Sequence, residues 1–348
     1  MKPLVSILIP AYNSEKWIGA TLDSAIAQTW DRKEIIVVDD GSTDGTLQLA
    51  EQFAAKGVRV FAQKNQGAAA ARNKAYSLSR GDYIQWLDAD DLLSPDKIAS
   101  QMELAEHNGG KLTLFSCGWG RFLYRYDRAR FVPTPLWCDL SPSEWLMRKM
   151  ERNIHMQTAT WLVSRELTAT AGPWNTRLLG DDDGEYFCRV LLASDGVRFV
   201  GDGRVYYRAS GATSLSYIGA SRRKQYAQWH SMQLHMRYLR SVEDTQRARA
   251  ACVTYLQNWL TFFYPERPDL VAEMRSVAHD LGGELRTPTL SWKYSWIEAI
   301  FGEQQGRRAQ ILLPRFKWSL LRFSDKMLFR LQNKKFSIGP ESQLGRHA

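Results

Sequence analysis

The chain opens on short apolar runs separated by segments of helical pattern. Val5-Ser6-Ile7-Leu8-Ile9, closed by Pro10, reads as a buried strand, and Glu34 to Val38, Val58 to Ala62 and Tyr83 to Leu87 repeat that reading. Between them, apolar residues recur at helical spacing. Ser14 is the expected N-cap of the first such segment, which carries Trp17, Ile18, Leu22, Ala25 and Ile26 on one side. Thr43 to Ala55 and Gly67 to Ser79 are the next two helices, and Ser94-Pro95-Asp96 starts another, with proline in its favoured first turn. Strand and helix alternating with short connections predict an α/β fold, a Rossmann-like, mostly parallel sheet flanked by helices.

Further along, the pattern is mixed. Leu112 to Cys117 and Phe122 to Tyr126 read as strands, Ser143 to Arg152 as a helix and Thr158 to Val163 as β-rich; Glu185 to Ala193 is helical, and Val197 to Val200 and Val205 to Tyr207 are short strands. From about residue 218 strand signals fade and helical patterns take over. The chain is therefore expected to divide into an α/β domain over 1–215 and a mainly α-helical C-terminal region over 216–348.

Composition narrows the class. With 44% hydrophobic and 24% charged residues over 348 positions, the chain has a normal globular core, which excludes disordered, collagenous and coiled-coil architectures. Cys117, Cys138, Cys188 and Cys252 lie far apart with no C-x-x-C pair, which excludes a disulfide framework and a zinc cluster and suits reduced thiols in the cytoplasm. No apolar run approaches the roughly 18 residues of a membrane span, and Leu4 to Ile9 is too short for a signal peptide. The net charge of +9 is unevenly spread: residues 1–110 carry a net −4, 111–210 a net +3 and 211–348 a net +10. An acidic front and a basic back indicate two different tasks.

In an open parallel sheet the ligand lies beyond the carboxyl ends of the strands. The residues there are Ala11-Tyr12-Asn13, Asp39-Asp40-Gly41-Ser42, Gln63 to Gln66 and Asp88-Ala89-Asp90-Asp91. No G-x-G-x-x-G follows the first strand and no G-x-x-x-x-G-K-[ST] occurs, so neither a dinucleotide fingerprint nor a P-loop is present. Carboxylates meet the ligand instead. Asp88 and Asp90, two residues apart at a strand end, repel unless a cation neutralises them, and hard divalent ions favour such oxygen ligands together with substrate phosphates.

Four blocks in order carry a family resemblance. Val5 to Asn13, Val38-Asp39-Asp40-Gly41-Ser42-Thr43-Asp44, Gln66-Gly67-Ala68-Ala69-Ala70-Ala71-Arg72-Asn73, and Gly81-Asp82-Tyr83-Ile84 with Leu87-Asp88-Ala89-Asp90-Asp91 resemble the family 2 glycosyltransferases, over roughly residues 3–210. The resemblance implies the GT-A fold and inverting transfer from a nucleotide-sugar donor, UDP- or GDP-linked, held through Mn²⁺ or Mg²⁺. It assigns Pro10, Tyr12, Asn13, Asp39 and Asp40 to the nucleoside, with Asp40 preferred for the base N–H, and places Arg72 near the nucleotide. Asp88 is assigned to the ribose or donor sugar and Asp90 to the metal. Asp44 reads better as a helix N-terminal residue than as a ligand.

Transfer to an acceptor hydroxyl calls for a general base. The candidates lie in Gly180-Asp181-Asp182-Asp183-Gly184-Glu185, where self-repulsion raises a carboxyl's proton affinity. The resembled family carries an acidic pair with an arginine six residues beyond the base. Arg189 stands six beyond Asp183, which favours Asp183, with Asp182 next; the triple aspartate and Gly184 depart from the commoner pattern. An acidic start to the following helix is the plain structural reading and is compatible with that role. His155, His230 and His235 have no motif and read as structural or exposed; Trp161 and Trp174 are expected to shape an acceptor pocket.

Between Arg307 and Lys335 nine basic residues face one acid, Asp325, and Phe316, Leu320, Phe323, Met327 and Leu331 form one helical stripe. Such a basic amphipathic tail suits an anionic membrane surface, or else packs on the α/β domain with a solvated basic face. No nucleic-acid recognition motif accompanies the charge. The expected acceptor is a saccharide or lipid-linked glycan and the expected location cytoplasmic, with the tail offering peripheral attachment at the inner face of the membrane. The competing readings are a catalytically silent nucleotide-sugar-binding or scaffold protein and a nucleotidyltransferase; the latter needs a glycine- and basic-rich loop after the first strand, which Ala11 to Lys16 is not.

Overall fold

The computed structural model describes residues 2–108, 110–209 and 221–336. In chain order the first elements are β1 (Val5–Ala11), α1 (Ile18–Ile26), β2 (Lys33–Asp39), α2 (Thr46–Glu51), β3 (Val58–Ala62), α3 (Ala68–Leu78), β4 (Tyr83–Trp86), β5 (Leu92–Leu93) and α4 (Lys97–Asn108). Then come β6 (Thr113–Phe122), β7 (Arg130–Phe131), α5 (Pro142–Arg152), β8 (Val163–Ser164), α6 (Arg165–Ala171), α7 (Asp182–Ala193) and β9 (Gly196–Arg208). Five helices follow: α8 (Arg222–Val242), α9 (Gln246–Phe263), α10 (Pro268–Asp280), α11 (Ser295–Phe301) and α12 (Glu303–Phe336).

The four expected strands form the parallel part of a sheet of order β3-β2-β1-β4-β8, in which β8 alone runs antiparallel. Both faces are covered, which is why the strands read as unbroken apolar runs. Val5, Ile7 and Ile9 of β1 pack with Ile18 and Leu22 of α1, while Leu8 faces Ala71 and Ala75 of α3. Each buried Val, Ile or Leu side chain among them contributes about 1.5–3 kcal/mol. A second sheet of order β5-β9-β6-β7 continues the fold.

Several local expectations shift. α1 begins at Ile18, not beside Ser14, whose hydroxyl donates to the Tyr12 carbonyl and does not cap the helix. Leu112 to Cys117 and the start of the next expected strand merge into the ten-residue β6, and Tyr126–Arg128 is a 3-10 turn. Thr158–Thr160 is also a 3-10 turn. The two short strands near 200 are one thirteen-residue β9. Within it Gly203 serves close approach: a Cβ would sit 3.2 Å from the Cys117 Cβ on β6.

Two compact units divide the chain. The first comprises residues up to Arg121 and Phe131–Arg286. The expected boundary at 215/216 lies in 210–220, outside the described residues, and α8 to α10 belong to this same unit: Trp229, Met232, Leu239, Tyr255 and Leu256 join the core that holds Trp145 and Phe187. The second unit joins Phe122–Arg130 to the chain from Thr287 onward. In it Asp325 of α12 accepts from the Arg125 side chain at 2.7 Å and from the Tyr124 amide at 2.9 Å, and Phe329 packs on Tyr124. The last part of the expected tail, 337–348, is outside the described residues.

Candidate active site

The carboxyl ends of β1, β2 and β4 carry the expected residues, and hydrogen bonds separate those that shape the loops from those left to meet a ligand. Asn13 takes a left-handed φ of 49° and its side-chain oxygen accepts from the Thr43 amide at 2.8 Å, while its own amide donates to Ser42. Its role is to clasp the two loops together. Asp44 accepts from the Thr46 amide and hydroxyl, as expected of a residue leading into α2. Pro10 is half-buried in β1, and Tyr12 is 49% exposed at the strand end.

The preference for Asp40 as the base contact does not survive the geometry. Its buried carboxylate accepts from Gln63 Nε2 at 2.7 Å, the Gln66 amide at 2.9 Å and the Gly67 amide at 2.7 Å, which fixes the loop leading into α3. Asp39 differs. Oδ2 accepts from the Ser42 amide, but Oδ1 is buried without any hydrogen-bond partner. A buried carboxylate oxygen left unpaired is costly unless a ligand donor completes it.

Arg72, on α3 and 5% exposed, is the hub of the site. Its guanidinium forks between Asp88 and Asp182, at 2.8 Å to each, and lies 4.4 Å from the Trp174 ring centroid. Burial works against the charge, and the two carboxylates outweigh it, so Arg72 is held firmly cationic. Trp174 stacks on Tyr186 at 4.0 Å, and Asn73 grips its backbone from both sides, donating to the Trp174 carbonyl and accepting from its amide. Trp174 and Trp161 are both buried core residues, so neither forms the wall of an acceptor pocket.

The acidic triplet splits three ways. Asp182 pairs with Arg72. Asp183 accepts from the Thr158 hydroxyl at 3.2 Å, and its carboxyl is pushed up to about 7, by burial first and then by the neighbouring Asp182 and Asp181 charges. Asp181, in a left-handed turn with φ 54°, faces α8, accepting from Ser231 Oγ at 2.7 Å and Gln228 Nε2 at 3.3 Å. Arg189 turns to Glu185, one helical turn away, and donates to the carbonyls of Ala171 and Pro173. It therefore secures the segment that delivers Trp174.

Asp88 and Asp90 are half-buried, whereas Asp91 is fully buried and structural, accepting from the Arg208 amide at 2.8 Å and from Gln157 Nε2 at 2.5 Å. Thr21 Oγ1 bonds the Ala89 and Asp91 carbonyls and pins the turn. Among the described residues no three His, Cys, Asp or Glu side chains gather closely enough to hold an ion alone. An all-oxygen pair that needs ligands from a second source fits a hard cation shared with substrate phosphates. Thr158, Gln157, Ser231 and Gln228 escaped the sequence reading because neutral side chains in loops and helices carry no spacing signal; His235, read as structural or exposed, is fully buried.

Residues 6–163, a little under half of the chain, match the model of glycosyl transferase family 2. Over 185 residues the chain is 34% identical to the uncharacterized glycosyltransferase EpsJ of Bacillus subtilis (strain 168), covering 53% of each chain. It is 48% identical over 98 residues to the chondroitin synthase of Escherichia coli, covering 28% of this chain and 14% of that one. The chain thus spans about half the length, or less, of these curated relatives. Among solved structures, S. aureus TarS 1-349 in complex with UDP-GlcNAc superposes with a TM-score of 0.66 at 18% identity, covering 80% of this chain and 81% of that one. The mannosyltransferase PcManGT of Pyrobaculum calidifontis, in complex with GDP-Man and Mn²⁺, gives 0.52 at 18% identity over 92% and 84%. These likenesses establish the GT-A type of α/β fold.

Proposed function

We propose that the chain is a metal-dependent, inverting glycosyltransferase that moves a sugar from a UDP- or GDP-linked donor to a hydroxyl of a saccharide or lipid-linked glycan. The observation that carries this reading is the meeting of Arg72, Asp88 and Asp182 at one strand end, with Asp183 the next residue along the chain. Asp39 Oδ1 accepts from the base N–H, Tyr12 stacks on the base, Asp88 faces the donor's ribose or sugar, and Asp90 with Asp88 would hold Mn²⁺ or Mg²⁺. The ion supplies Lewis-acid neutralisation of the leaving diphosphate. Asp183 takes the acceptor proton as the acceptor oxygen bonds to the anomeric carbon and the bond to the diphosphate breaks, a single displacement that inverts that carbon.

A screen of UDP- and GDP-sugars with Mn²⁺ or Mg²⁺, read as nucleoside diphosphate release, tests the reading. Turnover of at least one donor, abolished by chelation and by Asp90→Ala, is expected. Donor binding without turnover under every condition would favour the silent binding protein, and no binding at all would defeat both.

We also propose attachment to an anionic bilayer through α12. Phe316, Leu320, Phe323, Met327 and Leu331 are between 42% and 65% exposed. On a helical projection they lie opposite Asp325 and Phe329, which face the 122–130 segment. Arg322, Lys326 and Arg330 recur four residues apart beside the stripe. Like-charged copies of the helix repel, whereas an anionic surface attracts it. No helix among the described residues is long and apolar enough to cross a membrane. The intact chain is expected to co-sediment with phosphatidylglycerol-containing vesicles and not with phosphatidylcholine alone, with at least about a tenfold loss for Phe316→Ser/Phe323→Ser. Equal binding by that variant, or none by the wild type, would contradict it.

A further inference from the structure

Gly184 is an odd residue for the first turn of α7, where glycine weakens a helix. Its reason is steric. A Cβ at 184 would stand 2.2 Å from Asp181 Oδ1 and 3.2 Å from His235 Cε1. The missing side chain makes room for Asp181 to fold back toward α8, which its left-handed φ permits. On α8 the carboxylate meets Ser231 Oγ at 2.7 Å and Gln228 Nε2 at 3.3 Å, with His235 Nε2 at 3.8 Å. His235 is completely buried, and its Nδ1 lies 3.1 Å from the Tyr255 hydroxyl of α9. Asp181 therefore does not face Arg72 as Asp182 does; it ties the start of α7 to two later helices.

We propose that Ser231, Gln228 and His235 are positioning residues that act through Asp181 to hold the Asp182–Asp183 pair in place. The proposal rests on the reading of Asp183 as the base. The backbone is held on both sides there: Asp181 is anchored to α8 and Asp182 to Arg72, and the carboxylate of the next residue lies beside Thr158. Holding a catalytic group in one orientation is worth orders of magnitude in rate, and small misplacements lose it. The charges around the network come from each element packed on it: Lys149 of α5, Glu185 of α7 and, beside Asp183, Arg72 and Asp88. His155 also feels Asp181 and Lys149. Asp181 stays ionised in its pocket, where burial is outweighed by the Lys149 charge and the Ser231 and Gln228 hydrogen bonds. Its fixed negative charge is one of the causes that raise the Asp183 carboxyl.

The test uses the full chain with Ser231→Ala, His235→Gln, Asp181→Asn and Gly184→Ala. Two readouts are taken. Aspartate-carboxyl NMR, with the Asp183 signal assigned from Asp183→Asn, follows its titration without any substrate. Steady-state release of nucleoside diphosphate, from whichever UDP- or GDP-sugar the wild type turns over, gives kcat and KM. We expect Asp181→Asn to lower the Asp183 midpoint, and the acid limb of the pH–rate profile with it. Ser231→Ala and Gly184→Ala should reduce kcat by about ten- to a hundredfold with the donor KM nearly unchanged. Should His235→Gln fail to fold, Ser231→Ala removes only one hydroxyl and keeps the question open to decision. An Asp183 titration and a kcat unchanged across the folded variants would overturn the proposal. Absence of wild-type turnover would instead count against the base reading, while the titration still reports whether Asp181 governs Asp183.

Discussion

Asp39 and Asp40 are neighbours in sequence with opposite duties, and the difference is a matter of which oxygens are already occupied. Asp40 spends both on Gln63, Gln66 and Gly67, so Asp40→Ala is expected to cost about 3 kcal/mol of stability, measured by urea unfolding. Asp39 keeps one buried oxygen unpaired. Asp39→Asn should leave stability nearly unchanged and weaken nucleotide binding by about ten- to a hundredfold in calorimetry, because the amide then presents a donor to the donor on the base. The residue types were legible from the motif; the division of labour was not, since it depends on loops brought together across 23 to 27 positions of chain. The proton of the proposed base is a third case at this scale. With the Asp183 carboxyl at about 7, the ionised form grows with pH, so the rate should rise about tenfold per unit below that value and level above it.

At the scale of elements, buried strands declared themselves because an apolar run of five residues between breakers has few other uses. β6 and β9 run longer than their apolar stretches, because pairing carries each strand through residues without an apolar signal; within β9, Gly203 permits close approach to Cys117 of β6. Arg189 shows how a spacing match can point to the right helix and the wrong partner. It stands six residues after Asp183, yet its fork goes to Glu185 and to two carbonyls just ahead of Trp174. Arg189→Lys keeps the charge and loses the fork; it should destabilise the fold by about 2 kcal/mol in thermal unfolding and reduce turnover through a loosened Trp174–Arg72 stack. The helices α8 and α9 were seen as helices but not as part of the site's support, because the serine, glutamine and histidine that reach α7 follow no period.

For the whole molecule, the uneven charge resolves into a carboxylate-lined site in one compact unit and an exposed basic, apolar helix in the other. Coupling between the first unit's stability and pH follows from its buried histidine. Burial pulls His235 down to about 4, so the fold holds it neutral while the unfolded chain takes up a proton near 6.5. The stability this provides is complete above pH 6.5 and is lost as pH falls toward 4, by about 3 kcal/mol at most. Asp183 works in the opposite sense, so the difference between wild type and His235→Gln isolates the term: the wild type should lose stability more steeply over that window. The central claim, that this site transfers a sugar with Asp183 as base, is tested most directly by Asp183→Asn. Donor binding equal to the wild type with transfer reduced at least about a thousandfold is the predicted result. Transfer at the wild-type rate would contradict it.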